Sequence, residues 1–129
     1  MYYNDFISDE IKNSIYSYIQ HIKEFENFDS KILEDTYMLR NYSDKSKYIF
    51  SIDYECNSNR ASVDGIVKIE EEGYTLQYTS SLDRTVKADS FRIEDDKVVR
   101  KSYNLSTKAT EEKEFDKNIF FSNKTYKKD

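Results

Sequence analysis

Residues 47–77, with the sequence KYIFSIDYECNSNRASVDGIVKIEEEGYTLQ, decide the fold. Apolar side chains alternate with polar ones in the first part of this segment, at Tyr48, Phe50, Ile52 and Tyr54. The alternation recurs at Val63, Gly65, Val67 and Ile69, and again at Tyr74, Leu76 and Tyr78. A period of two is typical of half-buried β-strands. We therefore predict three consecutive antiparallel strands, a meander.

Pairing the first two apolar sets with each other predicts the register and leaves residues 57–60 as the hairpin loop. On the other face, this register places Asp53 opposite Asp64, with Glu55 beside them. Like charges directly across a ladder are unfavourable by a few tenths of a kcal/mol up to about 1. Such a cluster attracts a cation or a shared proton in an active site. We favour a solvated face on which basic neighbours relieve the repulsion.

The overall composition predicts one thin-cored domain. The chain has 129 residues, of which 37% are hydrophobic and 16% aromatic, including 12 Tyr and 8 Phe. Its length suits a single domain, and the aromatic side chains supply buried area that a disordered chain lacks. We predict one α+β domain over residues 1–122, followed by a polar, basic tail at 123–129.

The segment before the meander predicts a long amphipathic helix over residues 4–27. Its apolar stripe repeats at the helical period and consists of Ile7, Ile11, Ile15, Tyr18, Ile19, Ile22 and Phe25. Ser8, followed by two acidic residues, is one candidate cap for this helix. Residues 29–44 are ambiguous between a short second helix and an edge strand, and we favour a helical turn that passes into extended chain.

Alternation after the meander predicts three further strands. Residues 85–94 and 98–105 form a hairpin in which Phe91 and Ile93 face the core, and the expected matching set is Val99, Tyr103 and Leu105. A last strand is predicted over residues 113–121. The expected fold is thus one long helix packed on a curved antiparallel sheet of about six strands in meander order. This element order is similar to that of cystatin-like and nuclear-transport-factor-like cone folds, without a shared motif.

The residue inventory excludes several classes of function. One cysteine, Cys56, permits no intrachain disulfide, and one histidine leaves too few ligands for a Cys- and His-based zinc site. Two glycines cannot supply a phosphate-binding loop. We expect no enzymatic activity, no cofactor and no metal. No apolar run is long enough for a membrane span, and a cytoplasmic protein is expected.

The charge distribution favours contact with another protein. The net charge is −5, which argues against direct nucleic-acid binding. The candidate interaction surface is acidic and includes one tyrosine, and it comprises Asp9, Glu10, Tyr16, Glu24, Glu26, Asp53, Glu55, Asp64, Glu70, Glu71 and Glu72. We predict a non-enzymatic binding or inhibitor protein whose partner has a basic surface. A phage-encoded or mobile-element-encoded anti-defence inhibitor that mimics DNA would fit, as would a toxin-immunity protein.

The alternative is a small-ligand site in the mouth of the helix-covered sheet. Its expected lining is aromatic and consists of Tyr48, Phe50, Tyr54, Tyr78 and Tyr103. The same side chains would fill an ordinary core, since the chain has few Leu and Val residues.

Overall fold

The computed structural model describes residues 7–26, 30–42 and 46–122. Two helical segments come first, α1 at Asp9–Ile19 and a 3-10 helix at Lys23–Glu26. Seven strands follow and a short helix, α2, ends the described chain; their bounds are β1 Ser30–Asn41, β2 Lys47–Cys56, β3 Asn59–Glu70, β4 Gly73–Ser80, β5 Val86–Glu94, β6 Lys97–Asn104, β7 Thr110–Asp116 and α2 Lys117–Phe121. The predicted tail at 123–129 lies outside the described residues.

The seven strands form one antiparallel sheet in which each strand pairs with the next along the chain. The α+β class and the meander order are therefore confirmed, with seven strands rather than about six. The face that packs against α1 is the inner face, and the opposite one is the outer face. Helix α1 reaches across the inner face, since Ser14 Oγ lies 2.9 Å from the Tyr74 hydroxyl on β4 and the Tyr37 hydroxyl on β1 donates to the Lys12 carbonyl at 3.0 Å.

The long helix predicted over residues 4–27 is wrong in its extent. Helix α1 has 11 residues, and the Ser8 hydroxyl caps it by accepting from the amide of Ile11 at 3.2 Å. The apolar stripe continues past its end because Ile22 and Phe25 still pack against the core from the segment around the 3-10 helix. The ends of the predicted helix, residues 4–6 and residue 27, lie outside the described residues.

Residues 30–41 form edge strand β1, so the favoured helical turn is wrong and the alternative of an edge strand is right. The strand is irregular, because its pairing with β2 shifts between Leu33 and Met38. At this bulge the Thr36 hydroxyl donates to the Leu33 carbonyl at 2.7 Å and accepts from the Asp53 amide at 2.8 Å. A bulge interrupts the period of two, which explains why the sequence pattern looked partly helical.

The predicted register of β2 and β3 is wrong by two residues. Asp53 pairs with Ser62 and Asp64 with Ser51, because the turn contains only Asn57 and Ser58, both at positive φ (51° and 70°). Such a two-residue turn matches the twist of the strands. A shift of two residues keeps every side chain on its predicted face, but Asp53 and Asp64 are no longer directly opposite each other.

The β5–β6 hairpin places a different set of β6 side chains on the inner face. Its turn again holds two residues, Asp95 and Asp96, so that Glu94 pairs with Lys97. Consequently Ile93, Phe91 and Asp89 pair with Val98, Arg100 and Ser102. The expected matching set of Val99, Tyr103 and Leu105 is therefore wrong.

The last predicted strand ends early, at Asp116. The Asp116 carboxylate accepts from the amides of Asn118 and Ile119 at 2.9 and 3.2 Å, which caps helix α2. This turn of helix directs Phe120 into the core, where it is fully buried. The apolar residues at 119–121 thus reach the protein interior as part of a helix rather than a strand.

Candidate ligand-binding site

The inner face has an apolar half and a polar half. Over β2–β4 it carries buried apolar side chains, and one row of paired positions there consists of Tyr48, Val67 and Leu76. Over β5–β7 the same row of paired positions continues as Asp89, Ser102 and Glu111. Along this row the side chains thus change from apolar to polar or ionisable within a single sheet. The sequence therefore folds a polar surface against the segment that follows α1.

A cavity of about 240 Å³ lies over this polar half. Its buried lining comes from Glu24 of the 3-10 helix, Tyr78 of β4, Asp89 of β5 and Ser102 of β6. Exposed residues border its opening, namely Asp83, Thr107, Ala109, Thr110 and Glu111. Lys23 and Lys87 also line it. The cavity is thus reached from solvent and has a polar interior.

Asp89 is the deepest charged group of the cavity, with no exposed surface. Its Oδ2 accepts from the Lys23 amide at 2.7 Å and its Oδ1 accepts from the Tyr78 hydroxyl at 3.2 Å. Burial raises the pKa of this carboxyl, although the Lys23 amide, the positive charge of Arg100 and the hydroxyls of Tyr78 and Ser102 act in the opposite direction. Burial and the nearby Asp89 also raise the pKa of the Tyr78 hydroxyl.

The hydroxyl of Ser102 lies beside Asp89 at the bottom of the cavity. Ser102 is 5% exposed; its Oγ makes no hydrogen bond of good geometry with any residue that the structure describes, although it lies close enough to Asp89 to lower the pKa of that carboxyl. Buried polar groups in proteins nearly always have a partner, and leaving one without a hydrogen bond costs about 1–3 kcal/mol. The base of the cavity therefore holds a hydroxyl oxygen whose acceptor capacity is unused, even where its proton points to Asp89.

One wall of the site is held in place by Glu24. This side chain is 6% exposed; it accepts from Lys87 Nζ at 2.8 Å and from the Tyr54 hydroxyl at 3.1 Å. The Tyr54 hydroxyl also lies 2.8 Å from Ser80 Oγ. Burial, together with the nearby Glu24, raises the pKa of Tyr54 to about 12, so it remains protonated at neutral pH. The 3-10 helix is thus bound to both β2 and β5.

Arg100 fixes the same helical segment from the other side. This fully buried guanidinium donates to the His21 carbonyl at 2.9 Å, to both carboxylate oxygens of Glu26 at 3.0 and 3.1 Å, and to Glu111 at 3.3 Å. Lys113 adds a 2.8 Å bond to Glu26. Burial acts to raise the pKa of Glu26, but the bonds from Arg100 and Lys113 outweigh it and lower that pKa.

The aromatic residues of the predicted pocket are divided between the core and the cavity. Tyr48, Phe50 and Tyr54 are buried in the main core. Tyr78 and Tyr103 both line the cavity. Tyr103 pairs with Ala88, and this pair belongs to the outer face of the sheet, since it is adjacent along the strands to the inner-face pair Asp89–Ser102.

Sequence reasoning missed Lys23, Lys87, Asp89 and Ser102 as site residues. The sequence did indicate that Asp89 faces inward, because it alternates with Phe91 and Ile93, which were predicted to face the core from the same strand.

The residues of the predicted acidic surface do not lie together. Asp9 and Glu10 are exposed in the first turn of α1, while Glu55, Asp64 and Glu70 are exposed on the β2–β3 pair, next to the exposed turn of Glu71 and Glu72. Asp53 forms an ion pair with Arg60 at 2.7 Å. Glu24 and Glu26 are engaged beside the cavity, as described above.

Tyr16, expected to be exposed, is 2% exposed, and its ring lies 5.2 Å from that of Tyr37. It belongs to the core cluster, because its position on α1 faces the sheet. Tyr16 therefore does not contribute to an exposed contact surface, which corrects that part of the prediction.

Two further properties concern the described residues alone. Within them, no group of three or more His, Cys, Asp or Glu side chains is arranged to hold a metal ion. None of the helices there combines the length and the apolar character that crossing a membrane requires. No protein-family model, curated protein or solved structure matches the chain.

Proposed function

We propose that the protein binds a small polar ligand in the cavity between the 3-10 helix and strands β4–β7. The observation that carries this proposal is the base of the cavity, where the Ser102 hydroxyl makes no hydrogen bond of good geometry with a described residue and pairs across the strands with the fully buried Asp89. A ligand with polar atoms at this point would satisfy both groups. Pockets that bind small molecules typically combine a buried concave surface with a few such convergent polar groups.

The energetic cost of this arrangement supports a role beyond folding. Replacing buried ionic groups by well-packed apolar residues is often neutral or stabilising. The neighbouring strands show that this sheet accepts such residues, since Leu76 occupies the position paired with Asp89. Natural proteins tolerate destabilising groups chiefly where function needs them. Asp89 and Ser102 fit that pattern.

The test is a ligand screen on the ¹⁵N-labelled full-length chain, followed by two-dimensional NMR. The panel contains small polyols, amino acids, alkylamines and carboxylates. At least one compound should shift the amide resonances of Asp89, Ser102 and Glu111 in a saturable way. Ser102→Val, which fills the base of the cavity, should abolish the shifts, whereas Ser62→Val on β3 should leave them unchanged. The proposal fails if no compound moves these resonances, or if the Ser102 variant binds equally well.

A second candidate function, contact with another protein, is favoured by the outer face of β2 and β3. Ile49 and Ile66 are directly paired there and remain 37% and 39% exposed. Along that face of β3, Ile66 lies between Asp64 and Lys68, and Lys68 pairs with Lys47. Glu55 lies farther along the same face of β2, so the rim is acidic at the Asp64 end. An apolar centre with a charged rim resembles the anatomy of protein interfaces. A protein with a basic surface is the fitting partner, such as a nucleic-acid-handling enzyme that the protein would inhibit.

The contact function predicts a salt-sensitive partner that depends on the outer face. In a pull-down from the host, wild-type protein should retain a basic protein, and retention should fall as ionic strength rises. Ile66→Lys should lose that protein because it places a charge at the centre of the contact. Equal retention by wild type and variant would contradict the assignment to this face.

A further inference from the structure

Resting on the proposed ligand site, we infer that the ligand carries a primary ammonium group, which binds at the base of the cavity between Asp89 and Ser102. Three features of the lining favour a ligand of this class: its balance of charges, the ion pairs that its lysines already form, and the hydrogen-bonding capacity that remains.

The lining has an excess of negative charge. Four carboxylates, Glu24, Asp83, Asp89 and Glu111, face two ammonium groups within the lining, those of Lys23 and Lys87. The Arg100 guanidinium behind the lining offsets one of the four, since it bonds to Glu111 at 3.3 Å. An anionic ligand would meet repulsion in such a site. A neutral ligand would leave the excess charge where it is. A cationic ligand would offset it, and the offset is largest where water is excluded.

Both lysines of the lining are already bound to carboxylates. Lys23 Nζ lies 2.8 Å from Glu111, while Lys87 Nζ lies 2.8 Å from Glu24 and 3.0 Å from Asp83. Asp89 is the remaining carboxylate, and it forms no ion pair with any residue in the described part of the chain. The most buried carboxylate of the cavity is thus the one without an ion pair, and the positive charge of Arg100 acts on it only from a distance.

The remaining hydrogen-bonding capacity at the base suits a group with several donors. Each oxygen of Asp89 accepts one bond, from the Lys23 amide or the Tyr78 hydroxyl, and a carboxylate oxygen can accept a second. The Ser102 hydroxyl is available as another acceptor. A primary ammonium has three donors and no acceptor, whereas a quaternary ammonium has none. The polar base therefore selects a primary amine.

Four probes of equal carbon length separate the alternatives: 4-aminobutan-1-ol, butane-1,4-diamine, butane-1,4-diol and succinate. We expect the two amines to shift the amide resonances of Asp89 and Ser102 in NMR titrations of the full-length chain. The diol should bind at least about tenfold more weakly, since a charge-assisted hydrogen bond is replaced by a neutral one. Succinate should not bind.

Asp89→Asn tests the assigned residue. The asparagine can still accept from the Lys23 amide through its oxygen and can donate to the Tyr78 hydroxyl oxygen, so the fold should persist, which NMR of the free variant checks. Amine affinity should fall by about 10- to 100-fold. Glu112→Gln is the control, because it removes the same charge from β7 outside the cavity lining and should change affinity less than twofold.

The outcomes distinguish this inference from the function on which it rests. Binding of the diol or of succinate at Asp89 and Ser102, with no binding of the amines, would overturn the amine class and leave a ligand site. Amine affinity that is equal in wild type and Asp89→Asn would overturn the role of Asp89. If none of the four probes moves the resonances, the amine class is wrong, and the broader panel then decides whether the cavity binds any ligand.

Discussion

Arg100→Ala is expected to lower the free energy of unfolding by about 3–5 kcal/mol, the range found when one member of a buried ionic network is removed. The guanidinium is fully buried, and four of its hydrogen bonds reach His21, Glu26 and Glu111. Its loss leaves a cavity, removes a hydrogen bond from the His21 carbonyl, and takes from Asp89 the compensating positive charge of Arg100. Urea denaturation of the variant and the wild type measures the difference.

Two further variants separate the causes of this loss. Arg100→Met retains most of the packing volume and should cost about 1–3 kcal/mol, since it leaves chiefly the hydrogen-bond deficit. Lys113→Ala removes the other cation bound to Glu26, but this lysine side chain is 46% exposed, so the cost should stay below about 1 kcal/mol. If Arg100→Ala and Lys113→Ala are equally mild, the network does not hold the helical segment onto the sheet.

The meander and the composition of its inner face could be predicted, because the alternation of side chains assigns each residue to a face even when the register is wrong by two. Tyr48, Phe50, Ile52 and Tyr54 were assigned to one buried face, and all four are in the core. The register error of two residues did not disturb this assignment, since side chains repeat every two positions. What it removed was the Asp53–Asp64 contact, which depended on the exact pairing.

The candidate site could not be predicted, because it depends on which alternate set of β6 side chains faces inward in the β5–β6 hairpin. Val98 and Val99 are both apolar, so the sequence alone does not decide which of them faces the core. A two-residue turn at Asp95 and Asp96 selects Val98, and Arg100 and Ser102 follow it onto the inner face. Reasoning from hydrophobicity rejects a buried arginine unless its partners are known, and two of those partners, His21 and Glu26, lie more than 70 residues earlier in the chain.

The distribution of buried charge links the fold to the proposed function. The 3-10 helix covers the polar half of the sheet and carries Lys23, Glu24 and Glu26, each of which bonds to a different polar group of β5, β6 or β7. The cavity lies where the 3-10 helix no longer covers the polar half of the sheet. Ligand binding there would add contacts between the helical segment and the sheet, so a bound ligand should stabilise the folded protein by linkage.

Phe120→Ala should lower the free energy of unfolding by about 3–5 kcal/mol, the usual cost of removing a fully buried phenylalanine. Its ring is stacked on His21 with centroids 4.1 Å apart and lies 5.3 and 5.4 Å from the rings of Tyr18 and Phe115, so α2 closes the inner face beside the 3-10 helix. Ile119→Ala is the matched control, because Ile119 lies in the same short helix but is 67% exposed, and its change should stay within about 0.5 kcal/mol. Urea denaturation of both variants measures the effects. Equal costs for the two would mean that α2 does not anchor the end of the chain to the core, since only Phe120 places a side chain inside it.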